Sequence, residues 1–267
     1  IYCPQFWTMD QNCGQYIIND DYADFIVENG SPLNRFLEIP NTCQMPLTNN
    51  YTSVFVPVDG VPDNMIQNYG YGVFPNCYGL MDMGSLESSG VTRIRNVPVF
   101  NLRGNGILIG IIDTGIDYTH EAFKKADGTS RIVSIWDQTI QTGPAPNGFY
   151  YGTEYNREQI NQALADSNPL SVVPSADELG HGTFLSGIAA GNPNNAQNFS
   201  GVVPEADIIV VKLKQAKPFI RDFYRIPENA VCYSETDILF GINYLMTVAS
   251  ALTMPISVVI GFGTSQG

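Results

Sequence analysis

Basic residues are scarce in this chain of 267 residues: Lys and Arg number 13, Asp and Glu number 26, and the net charge is −13. Proteins that bind nucleic acid use patches of Lys and Arg to neutralise phosphates, and the sequence contains no such patch. The composition therefore predicts no nucleic-acid partner. The acidic balance favours neutral or basic substrates, or serves solubility alone.

Long apolar runs are also missing. No run approaches the roughly 20 residues that a membrane helix needs, so no membrane span is predicted. Hydrophobic residues nevertheless make up 44% of the chain, which is enough for a packed core.

The cysteine pattern argues against a metal-binding or disulfide-framework protein. The count is odd, and no CxxC or Cys/His spacing typical of zinc occurs. The five are Cys3, Cys13, Cys43, Cys77 and Cys232. One or two bridges among the first four, or buried free thiols, remain open alternatives. The turn "NPNNAQN" (192–198) has no carboxylate to bind a hard cation, so no metal site is predicted there. No other cofactor is predicted.

Two units are predicted, residues 1–90 and 91–267. The first has short strand-like runs and two short helix candidates, which indicates a small α+β unit with both helices on one antiparallel sheet. The strand-like runs are 22–30, 51–58 and 74–82, and the helix candidates are 32–37 and 62–69. The small, polar stretch "GSLESSG" (84–90) is typical of a linker.

From residue 104 onward, apolar strands alternate with longer helices. The run at 106–113 is continuously apolar up to its final aspartate, as expected of a strand buried on both faces, 206–213 and 255–263 are similar buried-type strands, and 131–139 is a further strand. One helix is predicted to begin after Asn156, with Gln159 completing a capping box, and a long helix after Ser234. This order predicts an α/β fold with a parallel sheet, whose functional residues collect at the carboxyl ends of strands.

Asp113 ends the first of these strands. A buried carboxylate without a partner costs several kcal/mol, so Asp113 needs one, although an Asx-turn or helix-capping role is the simpler alternative. The chain has two histidines. His120 stands in a polar stretch that is typical of a surface. His181 stands between glycines, before small residues that let a helix pack closely, and is either structural or catalytic.

Two short motifs, "DTGID" (113–117) and "HGTFLSGIAAG" (181–191), resemble in that order the aspartate and histidine motifs of subtilisin-like serine proteases. The runs 201–213 and 258–267 resemble the family's next strand and its substrate-binding strand. Further motifs, such as "IWDQT" and "YGTEYNREQIN", are similar to the Csp-type branch of Clostridia, whose known members act in spore germination. The N-terminal unit resembles the family's propeptide.

The resemblance implies a subtilisin-like α/β sheet with helices on both faces, preceded by a small propeptide-like domain. It implies that His181 is the general base and that Asp113 orients it. Gly261, Phe262 and Gly263 would pair their backbone with a peptide or protein substrate. The propeptide segment near residues 79–83 would then lie in the cleft beside them. The resemblance also implies a secreted or spore-associated bacterial protein.

The family's nucleophile motif is missing. Ser265 lies in "GTSQG" but follows the substrate strand directly, leaving no room for the oxyanion segment, so we do not assign it as the nucleophile. We expect the serine in a C-terminal half of the same enzyme, held as a second chain. The leading hypothesis is a serine endopeptidase. The alternative is a catalytically inactive relative that acts as a binding or signalling protein.

Overall fold

The structure is a computed structural model, and it describes residues 13–30, 39–62, 64–80, 102–194, 196 and 199–263. The predicted helix at 32–37 and the predicted linker at 84–90 lie outside these residues. So does the predicted domain boundary at residue 90, and the division into two domains stays a prediction.

The N-terminal part contains a three-stranded antiparallel sheet of order β1-β3-β2. Its strands are β1 (Tyr22–Glu28), β2 (Cys43–Pro46) and β3 (Tyr51–Pro57), accompanied by helices α1 (Cys13–Ile17) and α2 (Met65–Tyr69). The sequence predicted β1, β3 and α2. It did not predict the short elements β2 and α1.

The fourth strand, β4 (Cys77–Leu80), is a correction to the sequence prediction. The run at 74–82 was expected to join the N-terminal antiparallel sheet. Instead, β4 pairs with two short strands of the C-terminal part, β9 (Tyr233–Ser234) and β11 (Phe262–Gly263). Strand propensity predicts extended backbone but does not choose the partner, which depends on tertiary packing.

The C-terminal part is built on a five-stranded sheet of order β10-β5-β8-β6-β7. Four strands are parallel: β5 (Leu108–Asp113), β6 (Ile132–Asp137), β8 (Asp207–Lys212) and β10 (Ile256–Ile260). The edge strand β7 (Thr153–Asn156) is antiparallel to β6, so the sheet is mixed where a parallel one was predicted. The hairpin between them turns through the Pro/Gly-rich stretch "TGPAPNG".

Helices cover both faces of this sheet. They are α3 (Arg157–Ala165), α4 (His181–Ala190) and α6 (Glu235–Leu252), while α5 (Pro218–Phe223) packs on β1 of the N-terminal sheet. Along β5, Leu108 and Ile112 join the hydrophobic cluster that contains α6, while Ile109 and Ile111 join the cluster that contains α3 and the end of α4. The α/β fold class predicted from the sequence is therefore confirmed. Within the described part of the chain, no helix is long and apolar enough to cross a membrane.

Helix α3 begins as predicted. Asn156 accepts a hydrogen bond from the Gln159 amide, and the Gln159 side chain accepts one from the Asn156 amide, each at 2.9 Å. This is a complete capping box. Ser234 is likewise the N-cap of α6, as predicted, but its side chain makes no capping hydrogen bond.

The N-terminal part shares a hydrophobic cluster with the sheet of the C-terminal part. Residues of α1, β2 and β3 pack with Trp136, Tyr151 and Phe240. Cys13 and Cys43 form a disulfide between α1 and β2, with their Cα atoms 5.7 Å apart. Cys77 and Cys232 are buried free thiols. Both alternatives that the sequence left open for the cysteines therefore occur.

Candidate active site

Asp113 is the last residue of β5, in which every residue is buried. Its carboxylate is fully buried, and Oδ1 accepts a hydrogen bond from the Thr114 amide at 2.7 Å. The same oxygen lies 2.8 Å from Nδ1 of His181. The bond from the adjacent amide is neither an Asx-turn nor a helix cap, and the carboxylate has a histidine partner instead.

His181 is the first residue of α4, directly after Gly180, whose φ of 75° is a left-handed conformation that favours glycine. The side chain is 17% exposed, so the ring is packed on one side and reaches the surface on the other. A neutral imidazole that donates Nδ1–H to Asp113 carries its basic lone pair on Nε2. This arrangement suits a general base whose orientation a carboxylate fixes.

Burial raises the pKa of the Asp113 carboxyl above its ordinary value, and the contacts with His181 and Thr114 oppose that shift. Within the described part of the chain, Oδ2 of Asp113 has no hydrogen-bond partner. The ionised form of Asp113 is therefore held mainly by its contacts at Oδ1.

Gly261 packs directly on this pair of residues. A Cβ atom at this position would meet Asp113 Oδ2 at 2.8 Å and His181 Cε1 at 2.9 Å, and would overlap the side chain of Leu185. Gly261 lies between β10 and β11, while Phe262 and Gly263 form β11. The three predicted substrate-binding residues thus differ in position: the first contacts the Asp113–His181 pair, and the other two form a paired strand.

Strand β4 lies between β9 and β11 and is antiparallel to both. Leu80 is opposite Phe262, and Gly79 is opposite Gly263. The sequence prediction that this segment lies beside residues 261–263 is confirmed for Gly79 and Leu80, while residues 81–83 lie outside the described part. Because Leu80 faces the residue after Gly261, β4 leads toward the Asp113–His181 pair.

Sequence reasoning missed β9, the strand that pairs with β4 on the side opposite β11. Strand β9 has two residues, and Tyr233 and Ser234 are opposite Tyr78 and Cys77. The ring of Tyr233 also packs on that of Phe262, with centroids 5.8 Å apart. Periodicity cannot detect a strand of two residues; the one available signal was the position of Ser234 before a long helix.

His120 is exposed, as its polar surroundings predicted, and its Nδ1 accepts a hydrogen bond from the Ala122 amide at 3.1 Å in a short surface turn. Ser265 lies outside the described residues. Among those that are described, no three His, Cys, Asp or Glu side chains are grouped to hold a metal ion.

Comparison with known proteins identifies similar sequences for the part of the chain that builds this site. Residues 104–223 match the sequence model of the subtilase family, Peptidase_S8. The chain is 28% identical over 117 residues to the PII-type proteinase of Lacticaseibacillus paracasei, covering 43% of this chain and 6% of that protein. It is 31% identical over 130 residues to the subtilisin-like protease SBT2.2 of Arabidopsis thaliana, covering 42% of this chain and 15% of that protein.

Among solved structures, the chain is similar to the CspB protease of Clostridium perfringens, with 34% identity and a TM-score of 0.53. The match covers 66% of this chain and 33% of the CspB chain. The chain therefore spans about a third of the CspB chain and smaller fractions of these two curated relatives.

Proposed function

We propose that this chain, whose residues 104–223 match the subtilase family, is the part of a serine endopeptidase that carries the aspartate and histidine of an Asp-His-Ser triad. Asp113 and His181 are the two members in this chain. The serine would lie in a C-terminal part of the same enzyme, held as a second chain. The contact of 2.8 Å between His181 Nδ1 and buried Asp113 is the observation that carries this proposal.

In the proposed reaction, Nε2 of His181 takes the hydroxyl proton of the serine as its oxygen attacks the carbonyl carbon of the peptide bond. The C–N bond then breaks, and the imidazolium of His181 gives the proton to the leaving amine. A water molecule, deprotonated in the same way, hydrolyses the acyl-enzyme and restores the serine. Asp113 holds the Nδ1–H tautomer and stabilises the imidazolium through both steps.

We infer that the substrate is an extended peptide or protein segment. The support is the cleft itself, in which β4 pairs on one side with β11 and on the other with β9. A peptide that takes the place of β4 would gain the same backbone hydrogen bonds on both sides. Glycine at 263 lets its backbone approach closely.

The same geometry implies that the N-terminal unit inhibits the enzyme. Because β4 belongs to the same chain as the cleft, its effective concentration there is high, and even weak pairing excludes a substrate. We propose that residues 1–90 form a propeptide-like domain and that the enzyme is latent while β4 fills the cleft.

A test of the proposed activity uses the complete protein, including its C-terminal part, with β4 released from β11 by Gly79→Pro/Leu80→Pro. The probe is a fluorophosphonate, which phosphonylates activated serines with loss of fluoride. We expect one serine to be labelled, at a site that peptide mass spectrometry locates outside residues 1–267. His181→Ala should lower labelling and peptide hydrolysis by about 10²–10⁴-fold, the usual contribution of a general base. His120→Ala is the matched control and should change neither.

The alternative is an inactive relative that binds peptides without cleaving them. It predicts that the complete protein is neither labelled nor active, even when β4 no longer pairs with β11. That result would contradict the endopeptidase proposal.

A further inference from the structure

Asp177 lies in the loop that precedes α4, four residues before His181. It accepts four hydrogen bonds. Oδ1 accepts from the Thr114 hydroxyl at 2.7 Å and from the Gly180 amide at 2.9 Å. Oδ2 accepts from the Thr183 amide at 2.8 Å and the Thr183 hydroxyl at 2.7 Å. Both carboxylate oxygens are therefore engaged.

These bonds join the two segments that carry the proposed catalytic pair. Thr114 directly follows Asp113, and Thr183 is two residues after His181. The Thr114 hydroxyl donates to Asp177 and also accepts from the amide of Gly182 at 2.9 Å. The end of β5 and the start of α4 are thus tied through one carboxylate and one hydroxyl.

Asp177 also accepts the capping hydrogen bonds that the N-cap residue of α4 cannot accept. That N-cap is Gly180, which has no side chain to satisfy the first amides of the helix. Asp177 accepts from two of the amides there, Gly180 and Thr183, and places a negative charge at the positive end of the helix dipole.

Local hydrogen bonds stabilise the ionised form of the Asp177 carboxylate. Burial alone would raise the pKa of this carboxyl, but the hydrogen bonds from Thr114, Thr183 and Gly180 outweigh burial and lower the pKa below its ordinary value. Asp177 is therefore ionised at neutral pH. Its contribution to folding is present above the pKa of an unfolded aspartate and is lost as pH falls through the lower, folded value.

We propose that Asp177 is a positioning residue, one that holds His181 at hydrogen-bonding distance from Asp113. This inference rests on the proposed function, because the position matters for catalysis only if His181 is the base. Asp177 acts through Thr114 and Thr183 and takes no part in the proton transfers. Near-attack geometry is sensitive to such support, since a shift of about 1 Å can cost about 100-fold in rate.

The test is Asp177→Asn in the complete protein. Asparagine has the same shape but only one acceptor oxygen, so an NH₂ group would face the donors of Gly180 or Thr183. We expect kcat to fall by about 100-fold with little change in KM. The acidic limb of the kcat/KM profile should move to lower pH, because an anion is lost and the Asp113 contact is weaker.

Asp127→Asn is the matched control. Asp127 also accepts from the amide and hydroxyl of a threonine, Thr129, at 2.9 and 2.6 Å, but in an exposed turn. The charge lost is the same, and kcat and the pH profile should remain those of the wild type. The nearby charges of Lys212 and Glu178, which pair at 2.8 Å, are unchanged in both variants.

A second readout does not depend on activity. Diethyl pyrocarbonate acylates neutral imidazole, and peptide mass spectrometry follows His181 and His120 separately as pH is varied. In Asp177→Asn we expect the His181 profile to move to lower pH and the His120 profile to stay fixed. If the protein stays inactive even when β4 no longer pairs with β11, the proposed function fails, while this readout still decides whether Asp177 sets the environment of His181.

If Asp177→Asn does not fold, Thr183 provides the test. Thr183→Val removes the hydroxyl bonded to Asp177 and should change kcat and the His181 profile in the same direction. Thr183→Ser keeps the hydroxyl and should restore both. A lower melting temperature with unchanged kcat and an unchanged His181 profile would overturn the proposal and leave Asp177 as a helix cap.

Discussion

At the scale of single residues, Gly261 leaves almost no room for a side chain beside the proposed catalytic pair. Its α-carbon lies against Asp113, His181 and Leu185, so the smallest side chain would displace at least one of them. The family resemblance assigned Gly261 to backbone pairing with a substrate. The structure adds that glycine is needed here because the backbone lies against the proposed catalytic pair.

Gly261→Ala should therefore lower kcat/KM by about 100-fold, since the added methyl group forces apart the contacts that orient His181. Overpacking should also reduce the free energy of unfolding by about 1–3 kcal/mol. Peptide hydrolysis and urea unfolding of the complete protein measure the two effects.

Gly187→Ala is the control, because a Cβ atom there meets nothing within 4 Å and alanine favours the helix. It should leave activity unchanged. If Gly261→Ala kept the wild-type value of kcat/KM, the prediction would be wrong, because the Asp113–His181 pair would tolerate the added methyl group.

At the scale of elements, the pairing of β4 with β11 and β9 matters most for the proposed function. Its pairing with β11 involves two residues, Gly79 and Leu80, while its pairing with β9 involves Cys77 and Tyr78. The β4–β11 pairing, which lies nearest the Asp113–His181 pair, can therefore be weakened separately from the rest of the strand.

The double variant Gly79→Pro/Leu80→Pro should activate the complete protein toward peptide substrates. Proline has no backbone N–H, so the β4–β11 ladder loses its donors from β4. We expect kcat/KM for a small peptide to rise by about tenfold or more as the tethered competitor weakens.

Gly79→Ala/Leu80→Ala keeps both amides and should remain latent. Equal activity of the wild type and the proline variant, in a protein whose serine does react with a fluorophosphonate, would mean that β4 does not inhibit.

At the scale of the whole molecule, a buried ion pair joins the N-terminal part to the C-terminal part. Lys217 donates to Asp24 at 2.6 Å and to the carbonyl of Tyr16 at 2.7 Å, and the two charged side chains are each only 4% exposed. Burial of Lys217 lowers its pKa, and Asp24 opposes that shift. The two parts are therefore coupled electrostatically as well as through the shared hydrophobic cluster.

Asp24→Ala should reduce the free energy of unfolding by about 3–5 kcal/mol, because it leaves the Lys217 charge buried and without its carboxylate. Asp24→Leu/Lys217→Met should be close to the wild type, since apolar replacements of similar volume remove both charges. Thermal and urea unfolding of the complete protein provide the values.

Glu205→Ala is the comparison, because its pair with Arg103 is 37–41% exposed and should contribute about 0–1 kcal/mol. A loss in Asp24→Ala no larger than in Glu205→Ala would contradict the coupling.

The sequence by itself determined the long elements and the residues at their ends. Apolar runs specified β5 and β8, and side-chain chemistry specified the capping box of α3, because each depends on local contacts that sequence order encodes. The strand pattern alone assigned β4 to the N-terminal sheet, the family resemblance placed it beside residues 261–263, and only the tertiary structure decided that it also pairs with β9. It also decided which cysteines bond, and that Asp177 connects Thr114 to Thr183. These depend on residues distant in sequence that meet only when burial of the shared apolar surface brings the two parts of the chain together.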